Sequence, residues 1–149
     1  MKTILDNCKT LFLDELHYNE SLQLIVSEGI LLNENQSIKI GEGTIDNVKP
    51  IVITENSKKF KIEFDFDDII NFQVIDESYT MFDKNEISDT NGFLQIILKS
   101  DYLSYVEKSH GWYKDVVDKE GKHYRLWTES DIIDIISIEK PKIEILEKN

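Results

Sequence analysis

The amino-acid sequence predicts a mainly β fold, an antiparallel sheet arranged as a barrel or a sandwich, with one short helix. The main support is a hydrophobic period of two, as where Phe60, Ile62, Phe64 and Phe66 alternate with charged residues. The apolar runs are rich in Ile, Val and aromatic residues, which favour strands. Only six Gly and two Pro occur, and no Pro- or Gly-rich linker divides the chain. Residues 1–149 are therefore predicted to form a single domain.

Each strand is predicted from alternation or from a compact run of β-favouring residues, and the segment 131–138 needs an argument of its own. Its four Ile residues fit helical spacing, but β-branched side chains lose freedom in a helix and favour a strand. Pro141 follows and is expected at a sheet edge or a bulge. In chain order, the predicted strands cover residues 22–26, 38–40, 48–53, 60–66, 70–75, 93–98, 122–128, 131–138 and 143–145.

The single predicted helix lies near residues 100–109. Ser100 is a residue type that caps helix N-termini, and Asp101 suits the positive end of the helix dipole. Leu103 and Val106 then follow at helical spacing.

The chain is strongly acidic, because its 29 Asp and Glu residues outnumber its 17 Lys and Arg residues and give a formal net charge of -12. Such a charge argues against nucleic-acid binding, which needs a basic patch, and it favours a basic protein partner. Cys8 is the only cysteine, and residues 1–16 lack the apolar core of a secretory signal. No apolar run is long enough to span a bilayer. We therefore expect a cytoplasmic protein that is not inserted in a membrane.

The acidity is concentrated between residues 63 and 89, where nine acids and the single base Lys84 give a net charge of -8. Side chains two apart in a strand share a face, so this stretch is predicted to present carboxylates opposite its phenylalanines. One interpretation is a docking face for a cationic partner. The other is a solvated face that prevents edge-to-edge strand pairing. The predicted partner-binding residues are Glu63, Asp65, Asp67, Asp68, Asp76 and Glu77.

Two clusters of histidine and aromatic residues form a second candidate. Histidine is the usual general base, and Trp and Tyr are frequent at binding hot spots, so the two clusters could line one pocket. The alternative is ordinary packing of aromatic side chains. The predicted pocket residues are His110, Trp112, His123, Tyr124 and Trp127.

Known catalytic and metal-binding patterns are absent from the sequence. A calcium loop counted from Asp83 fails, because Ile87 and Ser88 stand at its fifth and sixth positions. No Gly-x-Ser-x-Gly, His-Glu-x-x-His or Cys-x-x-Cys occurs, and Gly41-Glu-Gly43 lacks the third glycine of a phosphate loop. We therefore predict no catalytic residue, no metal site and no cofactor.

The second half of the chain carries the segments Asp76-Glu-Ser-Tyr79, Lys99-Ser-Asp-Tyr-Leu-Ser-Tyr-Val106, and Lys122-His-Tyr124 ahead of an Ile-Ile-Asp segment. With these, residues 58–145 resemble a group of small acidic proteins of Gram-positive bacteria that has no established activity. The chain departs from that group at Asp76, where an Asn is usual. The resemblance implies a bacterial, cytoplasmic setting and no particular chemistry, and it marks Glu77, Tyr79, His123 and Tyr124 as positions of interest.

These observations favour a binding module over an enzyme. The first hypothesis is an immunity- or antitoxin-like protein that docks a basic partner through the acidic stretch. The second is a ligand-binding or enzymatic domain built on the histidine and aromatic pocket. The third is a structural protein of a phage or mobile element, for which a stable oligomer would be the sign.

Overall fold

A computed structural model describes residues 1–81 and 83–147 of the chain. In this part of the chain the backbone forms thirteen strands, two α-helices and four short 3-10 segments. The strands are β1 (Leu11–Tyr18), β2 (Ser21–Glu28), β3 (Ile30–Leu31), β4 (Gln36–Ile40), β5 (Gly43–Val48), β6 (Ile51–Val52), β7 (Lys59–Asp65), β8 (Ile69–Asp76), β9 (Ile87–Ser88), β10 (Leu94–Lys99), β11 (Lys122–Trp127), β12 (Asp131–Ser137) and β13 (Lys142–Leu146). The helices are α1 (Asp101–His110) and α2 (Lys114–Val117), and the 3-10 segments are Ile4–Asn7, Phe66–Asp68, Glu77–Tyr79 and Gly111–Tyr113.

The strands form two main antiparallel sheets. The first sheet has the order β1-β2-β7-β13, and the second has the order β8-β12-β11-β10-β9. Two short pairs, β3 with β6 and β4 with β5, stand apart from both sheets. The predicted mainly β fold with antiparallel sheets is thus confirmed, and it takes the sandwich form.

The core lies between the two sheets. Alternation turns one face of each strand inward, so Phe60, Ile62 and Phe64 of β7 are buried opposite residues of the second sheet. The rings of Phe64 and Tyr124 meet edge to face, with centroids 5.4 Å apart. The fully buried side chains of this cluster are Leu5, Leu11, Leu22, Leu24, Val26, Phe60, Ile62, Phe64, Leu94, Tyr124, Leu126, Ile133 and Ile135.

Two strand pairs pass from one sheet into the other at a shared corner. The 3-10 segment Phe66–Asp68 carries β7 into β8, and the link after β12 carries that strand into β13. The backbone N–H of Ile138 donates to the carbonyl of Asp68 over 2.9 Å, so the pairing continues through the corner. Pro141 lies in this link, just before the edge strand β13, where its missing N–H breaks no ladder bond.

Residues 131–138 form a strand, as predicted, over Asp131–Ser137. Ile133 and Ile135 point into the core, whereas Ile132 and Ile136 are buried on the outer face beneath α1 and its neighbours. Burial on both faces explains why the apolar residues do not alternate with polar ones. The predicted helix near 100–109 is confirmed as α1.

Two strand predictions need correction. The strand predicted over 48–53 is not continuous, because β5 ends at Val48 and only Ile51–Val52 form the next strand, β6, with Lys49 and Pro50 between them. Proline cannot donate to a ladder and interrupts the pairing. The strand predicted over 60–66 ends at Asp65, so Phe66 lies in the 3-10 turn and is half exposed.

Candidate functional site

Four of the predicted carboxylates gather at the corner where β7 passes into β8. Glu63 and Asp65 lie at the end of β7, and Asp67 and Asp68 lie in the 3-10 turn that follows. We call these four residues the acidic corner. Three of them, Glu63, Asp65 and Asp68, line a depression of about 420 Å³ together with Glu139 from the link between β12 and β13.

Within the acidic corner, Glu63 is well compensated. Its carboxylate lies 2.9 Å from the Lys61 ammonium and accepts a hydrogen bond of 2.9 Å from the Ser21 hydroxyl. These contacts lower the pKa of Glu63 below its ordinary value. Glu63 is therefore held in place by neighbours on the first sheet.

Asp68 is in the opposite situation. Partial burial raises the pKa of Asp68, and the nearby charges of Glu139 and Asp65 raise it further against the weaker effect of Lys119. Lys119 is itself paired with Glu139. Lys140 and Lys142 also line the depression, but the acids that line it outnumber these lysines. A cation placed beside Asp68 would therefore relieve the repulsion there.

An apolar cleft of about 310 Å³ adjoins the acidic corner, and Asp67 lies on its wall. The remaining wall residues come from the start of β8, from the segment 110–117 and from the link after β12. They are Ile69, Ile70, His110, Trp112, Tyr113, Val116, Val117 and Ile138. Trp112 and Val116 are 70% and 71% exposed, which is unusual for side chains of this size. We call the acidic corner and this cleft together the docking surface.

Asp76 and Glu77 lie away from the docking surface. Asp76 is the last residue of β8 and Glu77 follows it, roughly 23 Å from the start of the strand at about 3.3 Å per residue. The Asp76 carboxylate accepts the backbone N–H of Ser78 over 2.9 Å, and the Glu77 N–H donates to the carbonyl of Ser130. The six residues predicted as one acidic face thus divide into two groups, four at the corner and two at the opposite end of β8.

The five residues predicted to line a single pocket are not brought together. His110 and Trp112 share the apolar cleft, but His123 and Tyr124 are adjacent in β11 and therefore point to opposite faces of the second sheet. Tyr124 is in the core between the sheets, and His123 is buried beneath α1. Trp127 lines a different depression near the N-terminus. The common pocket is therefore not formed.

His123 instead belongs to a buried polar network that the sequence reasoning did not identify. Asp134 accepts from Arg125 Nε over 2.7 Å and lies 2.7 Å from His123 Nε2. The other ring nitrogen of His123, Nδ1, lies 2.7 Å from the Ser100 hydroxyl. Arg125 Nη2 also donates to Glu86 over 3.0 Å. Burial opposes the ionisation of Asp134, but hydrogen bonds from His123 and Arg125 outweigh it and lower its pKa to about 2.

The serine, histidine and carboxylate of this network are linked in the same order as in a hydrolase triad. Their burial, however, indicates a structural role. A nucleophile must reach substrate, whereas Ser100 is 4% exposed and His123 is fully buried. The Ser100 hydroxyl also accepts the N–H of Leu103 over 3.0 Å and so caps α1. The network therefore fastens the start of α1 and the loop at Glu86 to the outer face of the second sheet.

The signal for this network was present in the sequence as charged residues inside apolar strands. Arg125 and Asp134 each interrupt a run that is otherwise buried, and a buried charge requires a partner. They are cross-strand neighbours, because Arg125 of β11 pairs with Asp134 of β12. The register between β11 and β12, which places these two residues side by side, cannot be predicted from the sequence of either strand alone.

Within residues 1–81 and 83–147, no group of three or more His, Cys, Asp or Glu side chains is arranged to hold a metal ion. The helices of that same part of the chain are all too short or too polar to cross a membrane. Comparison with protein-family models, with curated proteins and with solved structures finds no match for this chain.

Proposed function

We propose that the chain is a small cytoplasmic binding module that docks a basic protein partner at the docking surface. The observation that carries this proposal is that an acidic corner with a net negative charge adjoins an exposed apolar cleft, with Asp67 common to both. Tight interfaces combine a buried aromatic or aliphatic anchor with a charged surround, and this surface offers both.

The acidic corner contributes chiefly to the rate of encounter. Exposed carboxylates at Asp65 and Asp67 attract a cationic protein over a distance of about 8–10 Å at physiological ionic strength. At contact, a lysine or arginine of the partner would form an ion pair with Asp68. The negative charge of Asp68 is unfavourable in the free protein, and such a pair would stabilise it. The free protein thus carries a local repulsion that binding removes.

The apolar cleft contributes affinity. Trp112 is exposed to water although it is the residue type most enriched at interface hot spots. The cleft volume of about 310 Å³ suits one or two apolar side chains of a partner. A partner with an apolar residue next to basic ones would fill the cleft and neutralise the corner together.

An immunity- or antitoxin-like role is the concrete form of this proposal. A toxin that acts on nucleic acid needs a basic surface to hold phosphates. An acidic protein of this size can cover such a surface and so block access to it. The small size, the net charge of -12 and the group of four carboxylates beside an exposed apolar cleft support this form of the proposal.

The test is affinity capture from a native lysate of the cells that encode the chain, with two matched triple variants. The corner variant carries Asp65→Asn, Asp67→Asn and Asp68→Asn. The control variant removes the same number of exposed negative charges elsewhere. Its substitutions are Glu55→Gln, Asp76→Asn and Glu77→Gln.

We expect wild type and the control variant to retain a basic protein that the corner variant releases. The association rate of that protein with wild type should fall with added salt, and the corner variant should show a slower rate and a shallower salt dependence. Equal capture by the corner variant and wild type, or loss with the control variant alone, would overturn the proposal.

A further inference from the structure

The strand β8 is an outer strand of the second sheet. Within residues 1–81 and 83–147, β12 is the one strand that pairs with β8. An outer strand leaves alternate N–H and C=O groups on its far side without a ladder partner. The register with β12 shifts only at the start of β8, near Ile69, so residues 71–76 pair regularly. We call the unpaired side of β8 the open edge.

The open edge lacks the features that protect the other outer strands from pairing. Natural edge strands are blunted by charged residues, by proline, by bulges or by short length. β9 has only two residues, β1 carries a bulge at Asp14, and β13 carries Lys142 and Glu144. Residues 69–75 of β8 carry neither a charge nor a proline. Among the outer strands of the two described sheets, β8 is therefore the one best suited to pair with a further strand.

Apolar surface flanks the open edge on the inner face of the second sheet. Val74 stands opposite Ile133, which points into the core, so Val74 lies on that same inner face. Val74 is nevertheless 45% exposed. Tyr18, whose ring meets Phe72 edge to face with centroids 5.0 Å apart, is also half exposed. A further strand beside β8 would cover Val74 from the side that β12 leaves open.

Two depressions lie along β8. One is the apolar cleft of the docking surface, which includes Ile69 and Ile70. The other has a volume of about 230 Å³ and includes Gln73, Ile75 and Tyr79. When an extended peptide adds to a sheet edge, backbone hydrogen bonds provide affinity and pockets for alternate side chains provide specificity. The open edge offers both kinds of contact.

We infer that the open edge takes an extended segment of the basic partner as a sixth strand of the second sheet. This inference rests on the proposed docking of a basic partner, and it specifies the backbone contact that holds the partner. Charge complementarity selects this occupant. Residues 65–77 contain five acids and no base, whereas the whole chain averages about one negative charge in twelve residues. Basic residues of the added strand lie beside the acidic corner, and its uncharged residues lie beside residues 69–75.

A second copy of the chain suits the open edge poorly. A two-fold axis would pair β8 with itself in antiparallel, so the start of one strand would lie beside the end of the other. Asp68, just before β8, would then approach Asp76 and Glu77 of the other copy. Like charges opposite each other destabilise strand pairing, whereas a basic segment replaces this repulsion with attraction.

The probe for the test is a synthetic peptide, Thr-Val-Thr-Ile-Thr-Val-Lys-Arg, blocked at both termini. When this peptide runs antiparallel to β8, its basic residues lie beside the acidic corner. The control peptide has the same charge but carries proline at its two central positions, which prevents pairing in a ladder. Binding to the full chain is followed by fluorescence anisotropy, and amide hydrogen exchange of the chain is followed by NMR.

The substitution Val74→Glu alters the open edge itself. A charge on the inner face of an edge strand hinders pairing. Its negative sign alone would favour a basic peptide, so weaker binding reports on the edge rather than on electrostatics. The control variant is Ile145→Glu, at an exposed residue of the outer strand β13. Circular dichroism spectra identical to wild type would show that both variants are folded.

We expect the peptide to slow amide exchange at alternate residues of 71–75 by about tenfold or more. Val74→Glu should weaken its binding by about tenfold, and Ile145→Glu should leave it unchanged. Equal binding of the two peptides, unchanged exchange in β8 at near-millimolar peptide, or full-strength binding to Val74→Glu would overturn the inference. Exchange in β8 that slows with protein concentration alone would assign the open edge to a second copy and overturn it as well.

This result is separable from the test of partner docking. Release of the native partner by the corner variant depends on the acidic corner, whereas slowed exchange in β8 depends on backbone pairing. Capture that requires the corner, together with unchanged exchange in β8, would remove strand addition and leave the docking of a basic partner intact.

Discussion

Replacement of Asp134 by Asn should show how much the buried network contributes to the free energy of unfolding. The pKa of Asp134 is lowered from 3.8 to about 2, because hydrogen bonds from His123 and Arg125 outweigh the cost of burial. By linkage, a depression of this size corresponds to about 2–3 kcal/mol of stability. A carboxylate with a depressed pKa stabilises the fold above its unfolded-state value, and that contribution is lost as pH falls from about 4 towards 2.

The assay is unfolding by urea at pH 7 and at pH 3, followed by circular dichroism. At pH 7 the Asp134→Asn variant should be less stable than wild type by about 2–3 kcal/mol. The difference should shrink at pH 3, because wild type has begun to lose the same contribution. The control is Asp76→Asn, an exposed carboxylate, which should change little at either pH. An Asp134→Asn variant as stable as wild type at pH 7, or one with an unchanged pH slope, would refute the reasoning.

Three further predictions concern α1 and the docking surface. Ser100→Ala removes both the cap on the Leu103 N–H and a partner of His123, so the free energy of unfolding in urea should fall by about 1–2 kcal/mol, and no change would contradict the capping role. Asp68→Asn should raise the melting temperature at pH 7, because the raised pKa of Asp68 means that its charge destabilises the free protein; a lower melting temperature would contradict the repulsion at the corner. Trp112→Ala should leave the melting temperature nearly unchanged and weaken binding of the captured partner by about tenfold or more, whereas unchanged affinity would exclude the cleft from the interface.

The parts of the fold that the sequence predicts well are those in which alternation is regular. β7 shows this most clearly, since Phe60, Ile62 and Phe64 all face the core. β8 is less regular, because its register with β12 shifts near Ile69 and because Val74 is 45% exposed. β1 was not predicted, although it is eight residues long. Its register shifts between Leu13 and Glu15, and this bulge breaks the period of two on which the prediction rests.

The docking surface was only partly predictable. Composition located the excess of acid between residues 63 and 89, but it gave no sign that the length of β8 separates Asp76 from the acidic corner. It also gave no sign that Trp112 and Asp67 line the same cleft, because this placement depends on how the segment after α1 packs near the corner. Long-range contacts of this kind follow from packing rather than from any local pattern.

The central claim is that a basic partner contacts the docking surface, and site-specific photo-crosslinking tests it most directly. A benzophenone amino acid is placed at Val116, which is 71% exposed in the cleft, and at Glu55 as a distant exposed control. The crosslinked proteins from native cells are then identified by mass spectrometry.

The account predicts that position 116 crosslinks a basic protein, that position 55 does not, and that the corner variant abolishes the crosslink. Crosslinking of the same protein from both positions, or a crosslink at 116 that survives neutralisation of the corner, would contradict it.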